Sequence, residues 1–340
     1  MDYNEIRDKA REILSPLCLV CKECNGVACA GWTPGVGSKG TGNTFKRNYN
    51  YLQRIHPVMD TIYKEDGYEI EIDLFGNTYE APIFIAPIGG IDINYGGKLS
   101  EGEYDERIVK GAINSGIIAF TGDGANDQYF LEPLKVVEEM RGQAIPTLKP
   151  WKNPEVIEKI RIIEKLNVPA FAMDIDSAGL VHLAKSGKPV SAKSVEELKE
   201  IVQSTSLPFI IKGVASVKSA LKAVESGAYG IVVSNHGGRV LDNQEATTEI
   251  LHEIKLAVGD SIKVFVDGGF RTGADVFKAL ALGADAVLIG RPYAIMAFGG
   301  GAEGVSLLTE KLKSELKEVM IMTGCSKLSD ITYDKINISL

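Results

Sequence analysis

"KVFVDGGFRTGADVFKALALGADAVLIGRP", Lys263 to Pro292, contains one complete strand–loop–helix–strand passage. "KVFVDGG" is a short apolar run that stops at two glycines. "GADVFKALALG" begins at a cap position for a helix and ends at Gly283. "DAVLIGRP" is a second apolar run, stopped by Gly290. The runs are continuous rather than alternating, which suits parallel strands buried on both faces.

The same rhythm extends outward from this passage. "APIFIAPIGG" (81–90), "GIIAFTGDG" (116–124), "AIPTLKP" (144–150), "PAFAMDID" (169–176), "PFIIKG" (208–213) and "YGIVVSNHGG" (229–238) each read as a strand, which with the first two makes eight. The stretches "NPEVIEKIRIIEKL", "SVEELKEIVQS" and "SVKSALKAVESG" read as intervening helices. Eight strand–helix units favour an α/β fold of the closed (β/α)8 barrel type over an open doubly wound sheet.

The barrel is assigned to residues 81–300. Residues 1–80 form an N-terminal extension, with a helix near 3–17 and a loop-like segment, 25–44, containing six glycines. "YEIEIDLFGNTYE" (68–80) alternates and turns at Gly76-Asn77, a hairpin signal. Such a hairpin is placed to plug the barrel's N-terminal end. Residues 301–340 form a C-terminal helical segment, helical to about Thr323.

Composition narrows the function. The chain has 340 residues, enough for a large core, and a net charge of -8. Nucleic-acid phosphates need clustered Lys and Arg, so no nucleic-acid partner is expected. No apolar run approaches the roughly 18–20 residues that cross a bilayer. The N-terminus, MDYNEIRDKARE, is charged and helical in character, unlike a signal peptide. The expectation is a soluble cytoplasmic protein with no membrane partner.

In such a barrel the functional groups lie at the C-terminal ends of strands. Lys212 ends the fifth strand, and His236 and Arg239 follow the sixth. Asp267, Gly268, Gly269 and Arg271 follow the seventh, and Gly290 and Arg291 close the eighth. The last two groups together look like a phosphate site, with glycines for close backbone approach and arginines for charge. The competing interpretation is ordinary turn glycines beside surface arginines. Lys212 follows the apolar "PFII", so its ammonium needs an anionic or electron-rich neighbour, unless it snorkels to solvent. His236 has the near-neutral pKa that suits proton transfer, and Arg239 offers a fork for a carboxylate. His56, His182 and His252 read as structural or exposed.

Four of the five cysteines, Cys18, Cys21, Cys24 and Cys29, lie within twelve residues in the pattern C-x2-C-x2-C-x4-C; Cys325 stands alone. A disulfide framework is not expected in a reducing compartment. Four thiolates are the usual complement for zinc or an iron–sulfur cluster. Unligated thiols, some lining the active site together with Trp32, are the alternative.

"IKG", "SNHGGRVLD" (234–242) and the passage "VFVDGGFRTGADVFKALALGADAVLIGRP" resemble the FMN-dependent α-hydroxy-acid oxidase and dehydrogenase family, which includes glycolate oxidase, lactate oxidase and mandelate dehydrogenase. The resemblance is dense over 208–293 and reaches back through "APIFIAPIGG" to "FKRNYNYLQRI" (45–55). It implies FMN as cofactor, a small 2-hydroxy acid as substrate and a homo-oligomer, often a tetramer. It also implies residue roles. Lys212 faces the flavin N1–O2 edge, His236 is the base, and Arg239 binds the substrate carboxylate. Asp267, Gly268, Gly269, Arg271, Gly290 and Arg291 contact the ribityl chain and phosphate. The backbone of Ala86, Pro87 and Ile88 lines the ring, and Thr121 supplies a polar contact. Ser234 joins the flavin contacts and, with Asn235, shapes the turn. Asp174 pairs with His236 and holds its protonated form. The implied reaction removes a proton to His236 and a hydride to flavin N5; a carbanion route is the alternative.

Three departures concern the substrate half. The loop "DIDSAGLVHLAKSGKPVSAKS" lacks the family's second arginine and is short for a lid. Thr147 and Lys149 stand where the family has Gln and Tyr, and Lys149 is a candidate to replace one lost positive charge. The family's N-terminal Tyr is replaced by "CKECNGVACAGWTPG". Two rival functions follow from these changes. One is a non-redox flavoenzyme resembling type 2 isopentenyl diphosphate isomerase, which lacks the His-Gly-Gly-Arg pattern. The other is a flavin-binding sensor or electron carrier without turnover, against which the retention of His236 and Arg239 counts.

Overall fold

The computed structural model describes every residue except 66, 181, 182, 184–186, 189 and 340. The eight expected strands form one sheet: β1 (Ile83–Ile85), β2 (Phe120–Thr121), β3 (Ile145–Leu148), β4 (Phe171–Asp174), β5 (Phe209–Val214), β6 (Gly230–Val233), β7 (Lys263–Asp267) and β8 (Ala286–Ile289). Successive strands from β2 to β8 pair in parallel, and β8 pairs in parallel with β1. A bridge between Ile85 and Ala119 closes the remaining gap between β1 and β2. The result is a (β/α)8 barrel. Its apolar runs read as continuous because both faces are covered: every residue of β3, β4, β6 and β8 is buried.

The N-terminal end is covered by the hairpin Ile72–Leu74 and Asn77–Tyr79. Its tip residue Phe75 packs on Tyr229 and Phe265, with ring centroids 5.2 and 6.1 Å away, and its N–H donates to the Tyr229 hydroxyl. The first helix, Tyr3–Leu14, opens with a capping box between Asp2 and Glu5 and buries Ile6, Ala10 and Leu14. It packs against the long C-terminal helix Arg291–Thr323, which breaks its dihedrals at Gly301. Among the described residues, no helix is long and apolar enough to cross a membrane.

Two devices shape the C-terminal mouth. Buried Asp123, after β2, accepts from Lys149 N (2.9 Å), Trp151 Nε1 (2.6 Å) and Lys159 Nζ (3.1 Å), so it locks the loops after β2 and β3 together. The glycine-rich segment before the helix Asn43–Leu52 wraps over the loop after β6. Lys39 Nζ donates to Val240 O (2.8 Å), and the Asp242 carboxylate accepts from Thr41 N (2.6 Å) and Oγ1 (2.7 Å).

Candidate active site

The strand ends enclose one cavity of about 1210 Å³, partly open to solvent. It gathers most of the expected residues: Ala86, Pro87 and Ile88 from the end of β1, Lys149 after β3, Asp174 and Lys212 at the ends of β4 and β5, and His236 and Arg239 after β6. Asp267, Gly268, Gly269 and Arg271 come from β7 and its loop, and Gly290 and Arg291 from the end of β8. Thr121 and Ser234 do not line it. Ser234 Oγ instead accepts from Lys212 Nζ (3.3 Å) and His236 N (3.1 Å), so it braces the turn.

His236 sits at φ +55 in a short 3-10 turn, a left-handed conformation uncommon for a residue with a Cβ. Its Nδ1 lies 2.9 Å from Asp176 Oδ1. This corrects one expectation: Asp176, not Asp174, partners the histidine. The reason is geometric. Asp174 is the last residue of β4 and its carboxylate points among ammonium groups, 2.8 Å from Lys149 Nζ and 3.2 Å from Lys212 Nζ. Asp176 lies two residues on, in the 3-10 turn Ile175–Gly179. Its side chain packs against Gly213, where the ladder between β5 and β6 shifts register. A Cβ on Gly213, at φ +99, would come within 2.5 Å of Asp176 Cγ.

Lys212 is buried and also meets Asp267 Oδ2 at 3.2 Å. Burial alone would depress its ammonium, but Asp174 and Asp267 outweigh burial and hold its pKa above the ordinary value. Burial likewise pushes Asp174 up, but Lys149 and Lys212 outweigh it and hold the carboxylate below its usual range. Lys149 lines the cavity as expected, but its ammonium is occupied by Asp174 and Ser177 Oγ (3.1 Å). A charge neutralised in this way is not free for a substrate carboxylate, so that expectation is corrected.

The three arginines behave differently. Arg239 donates to the Gly35 and Gly37 carbonyls and to Asn94 Oδ1 (2.7 Å). Arg291 donates to the carbonyls of Val36 (2.8 Å), Gly37 (2.7 Å) and Gly237 (3.1 Å). Arg271 donates to the carbonyls of Cys24 (2.8 Å) and Phe270 (2.7 Å). Among the described residues, no carboxylate pairs with any of them. Burial and then Arg291 push the Arg239 guanidinium down to about 10, and Arg291 is also lowered, first by burial. Charges buried without a counter-ion are costly, so this cationic cluster is built to receive anions.

The cavity wall also fits a phosphate-bearing planar group such as FMN. Asp267 Oδ1, on the cavity wall, is buried without a hydrogen-bond partner; Thr121 Oγ1 and Thr147 Oγ1 are likewise unpartnered, but their residues do not line the cavity. Gly290 lines the cavity, and a Cβ there would meet nothing closer than Ala86 Cβ at 3.6 Å. Its missing side chain therefore leaves cavity space rather than relieving a clash within the protein.

The cysteines do not assemble a compact metal site. Zinc holds thiolates at about 2.3 Å, which puts the sulfurs roughly 4 Å or less apart. Among the described residues, the only donor trio within 4.8 Å of one another is Asp174, Asp176 and His236. The zinc expectation at Cys18, Cys21, Cys24 and Cys29 is corrected accordingly. The four thiols instead line a second, smaller cavity. Of the other histidines, His252 stacks on Tyr333 and His56 lies exposed near Ser339 Oγ. His182 lies outside the described residues.

Asn94, Tyr95 and Tyr129 also line the main cavity and carry no sequence signal. Tyr129 OH donates to Asp92 Oδ1 at 2.6 Å. Asp176 did carry one: it is the second acid of "MDID", just beyond a strand end.

Comparison with known proteins agrees with this geometry. The peroxisomal (S)-2-hydroxyacid oxidase of Arabidopsis thaliana is 43% identical over 191 residues, covering 56% of this chain and 49% of the relative. The 4-hydroxymandelate oxidase of Amycolatopsis orientalis is 45% identical over 152 residues, covering 45% and 42%. The L-lactate oxidase of Lactobacillus jensenii is 42% identical over 150 residues, covering 44% and 36%. The chain thus spans about half or less of the length of these curated relatives. A crystal structure of mandelate oxidase superposes with a TM-score of 0.81 at 25% identity, covering 99% of this chain and 98% of that one. Residues 32–186 and 181–338 match the FMN-dependent dehydrogenase family, and with the barrel and its strand-end residues in place, the chain belongs to that family.

Proposed function

We propose that the protein oxidises a 2-hydroxy acid to the 2-oxo acid. The observation that carries this reading is the pairing of a histidine–carboxylate dyad, His236 with Asp176, with three partly buried guanidiniums that, among the described residues, lack a counter-ion around the same cavity. Bound FMN supplies the two-electron acceptor. His236 takes the proton of the substrate hydroxyl at Nε2, because Nδ1 is engaged by Asp176. The Asp176 carboxylate then stabilises the imidazolium and fixes the ring's orientation. Arg239 clamps the substrate carboxylate, Arg271 and Arg291 hold the cofactor phosphate, and Lys212 offers fixed positive charge to the ring. The names of the relatives support a 2-hydroxy acid as the substrate class. Assembly into a homo-oligomer is part of the proposal, supported by the family resemblance and tested by sedimentation.

The test is product formation. Protein loaded with FMN is incubated with a panel of 2-hydroxy acids and a dye acceptor, and 2-oxo acid is trapped as its hydrazone. At least one acid should yield product with wild type and none with His236→Ala. Product from both at equal rates would remove His236 from the reaction; product from neither would overturn the assigned chemistry.

A further inference from the structure

The four clustered cysteines are not absorbed by the oxidation chemistry. Cys18, Cys21, Cys24 and Cys29, all partly buried, line one chamber of about 530 Å³ that is partly open to solvent. None is in a disulfide. No three of their sulfurs lie within 4.8 Å of one another, so the thiols are spaced too widely for a single zinc ion. A cubane cluster keeps each thiolate on its own iron and needs a wider arrangement. The chamber also has positive charge at its edge. Arg291 lines it, and Arg271 Nη2 lies 3.5 Å from Cys24 Sγ. Two guanidiniums beside four thiols suit an anionic cluster.

The location adds a second observation. Val36, Tyr95 and Arg291 line both this chamber and the main cavity, so a wall one residue thick separates them. On the outer side, Leu19, Val27 and Trp32 of the same segment are exposed. The chamber therefore lies between the candidate active site and the surface.

We propose that Cys18, Cys21, Cys24 and Cys29 ligate a four-iron iron–sulfur cluster that carries electrons out of the active site. The relay rests on the FMN-dependent oxidation proposed above; the cluster site does not. Oxidation of one hydroxy acid releases two electrons and two protons. One proton goes to solvent through His236; the other travels with the hydride and is released to solvent as the electrons depart. The electrons leave singly through the cluster to a one-electron carrier protein, so two carriers are reduced for each acid oxidised.

The experiment uses full-length protein purified anaerobically and reconstituted with ferrous iron and sulfide. Wild type and Cys325→Ser should hold about four iron and four sulfide per chain and show broad brown absorbance. Cys21→Ser and Cys24→Ser should lose the iron while keeping FMN, which reports that they have folded. Wild type that binds no iron, or iron that survives both substitutions, overturns the site. For the relay, cytochrome c is the one-electron probe. Cys21→Ser should reduce it about tenfold more slowly while its flavin is bleached by the acid at the wild-type rate. Equal cytochrome c reduction by the two proteins overturns the relay. Failure of the acid to bleach either protein, with the iron content intact, counts against the oxidation reading alone.

Discussion

Asp176 Oδ1 lies 2.9 Å from His236 Nδ1, and the Asp176 side chain packs directly against Gly213, where a Cβ would come within 2.5 Å of its Cγ. Asp176→Asn removes the charge that stabilises the imidazolium and leaves the shape nearly unchanged. The turnover rate should fall by about 10²–10⁴ while FMN affinity stays at the wild-type value. Steady-state kinetics with parallel FMN titration checks both. Asp174→Asn should behave differently, because its carboxylate holds two lysines rather than the histidine.

Gly213→Ala tests the packing that positions Asp176. The new methyl meets Asp176 Cγ at 2.5 Å and is forced into φ +99. A stability loss of about 1–3 kcal/mol is expected, with lowered activity as Asp176 is pushed off the ring. Urea unfolding and turnover, measured on one preparation, read the two effects.

Lys212→Met leaves Asp267 buried without its ammonium and Asp174 with Lys149 alone. Removing one partner of a buried ion pair costs about 3–5 kcal/mol. The variant should unfold at lower urea than Lys212→Arg, which keeps the charge.

The eight strands were legible in the sequence because parallel strands buried on both faces leave continuous apolar runs, each ended by a glycine or charged residue. His236, Arg239 and the DGG and GRP groups were legible for the same reason: each follows its strand directly. Asp176 was not singled out, because choosing between two acids two residues apart depends on which side chain the lysines claim and which the histidine meets in space. Lys149 was misread because nothing in "TLKP" shows that Asp174, twenty-five residues on, neutralises it. The spacing of the cysteines announced four nearby thiols, but not that they share a wall with the main cavity.

Gly290→Ala should separate cofactor binding from folding. Its φ of -103 suits any residue, and a methyl there meets only ordinary contacts in the protein. Thermal stability of the apoprotein should match wild type, while FMN affinity falls by about tenfold or more as the methyl takes cavity space. Calorimetry of the apoproteins and fluorescence titration with FMN check this.

Asp242 gives a pH-dependent prediction. Burial raises its pKa, but hydrogen bonds from Thr41, Asn243 and Thr44 outweigh burial and bring it to about 2, below the ordinary carboxylate value. A depressed carboxylate pKa gives stability that is fully present above the unfolded value of about 4. That stability is lost as the pH falls through about 2. Asp242→Asn should therefore be less stable than wild type at pH 7, and the gap should shrink steadily as pH falls from about 4 toward 2. Urea midpoints across that range read the trend.

The most direct measurement of the central claim is anaerobic bleaching of the bound flavin, in a single turnover, by a panel of 2-hydroxy acids. At least one acid should bleach wild type rapidly, Asp176→Asn about 10²–10⁴-fold more slowly, and His236→Ala hardly at all. Bleaching of His236→Ala as fast as wild type, or a purified protein that neither carries nor takes up FMN, would contradict the central claim.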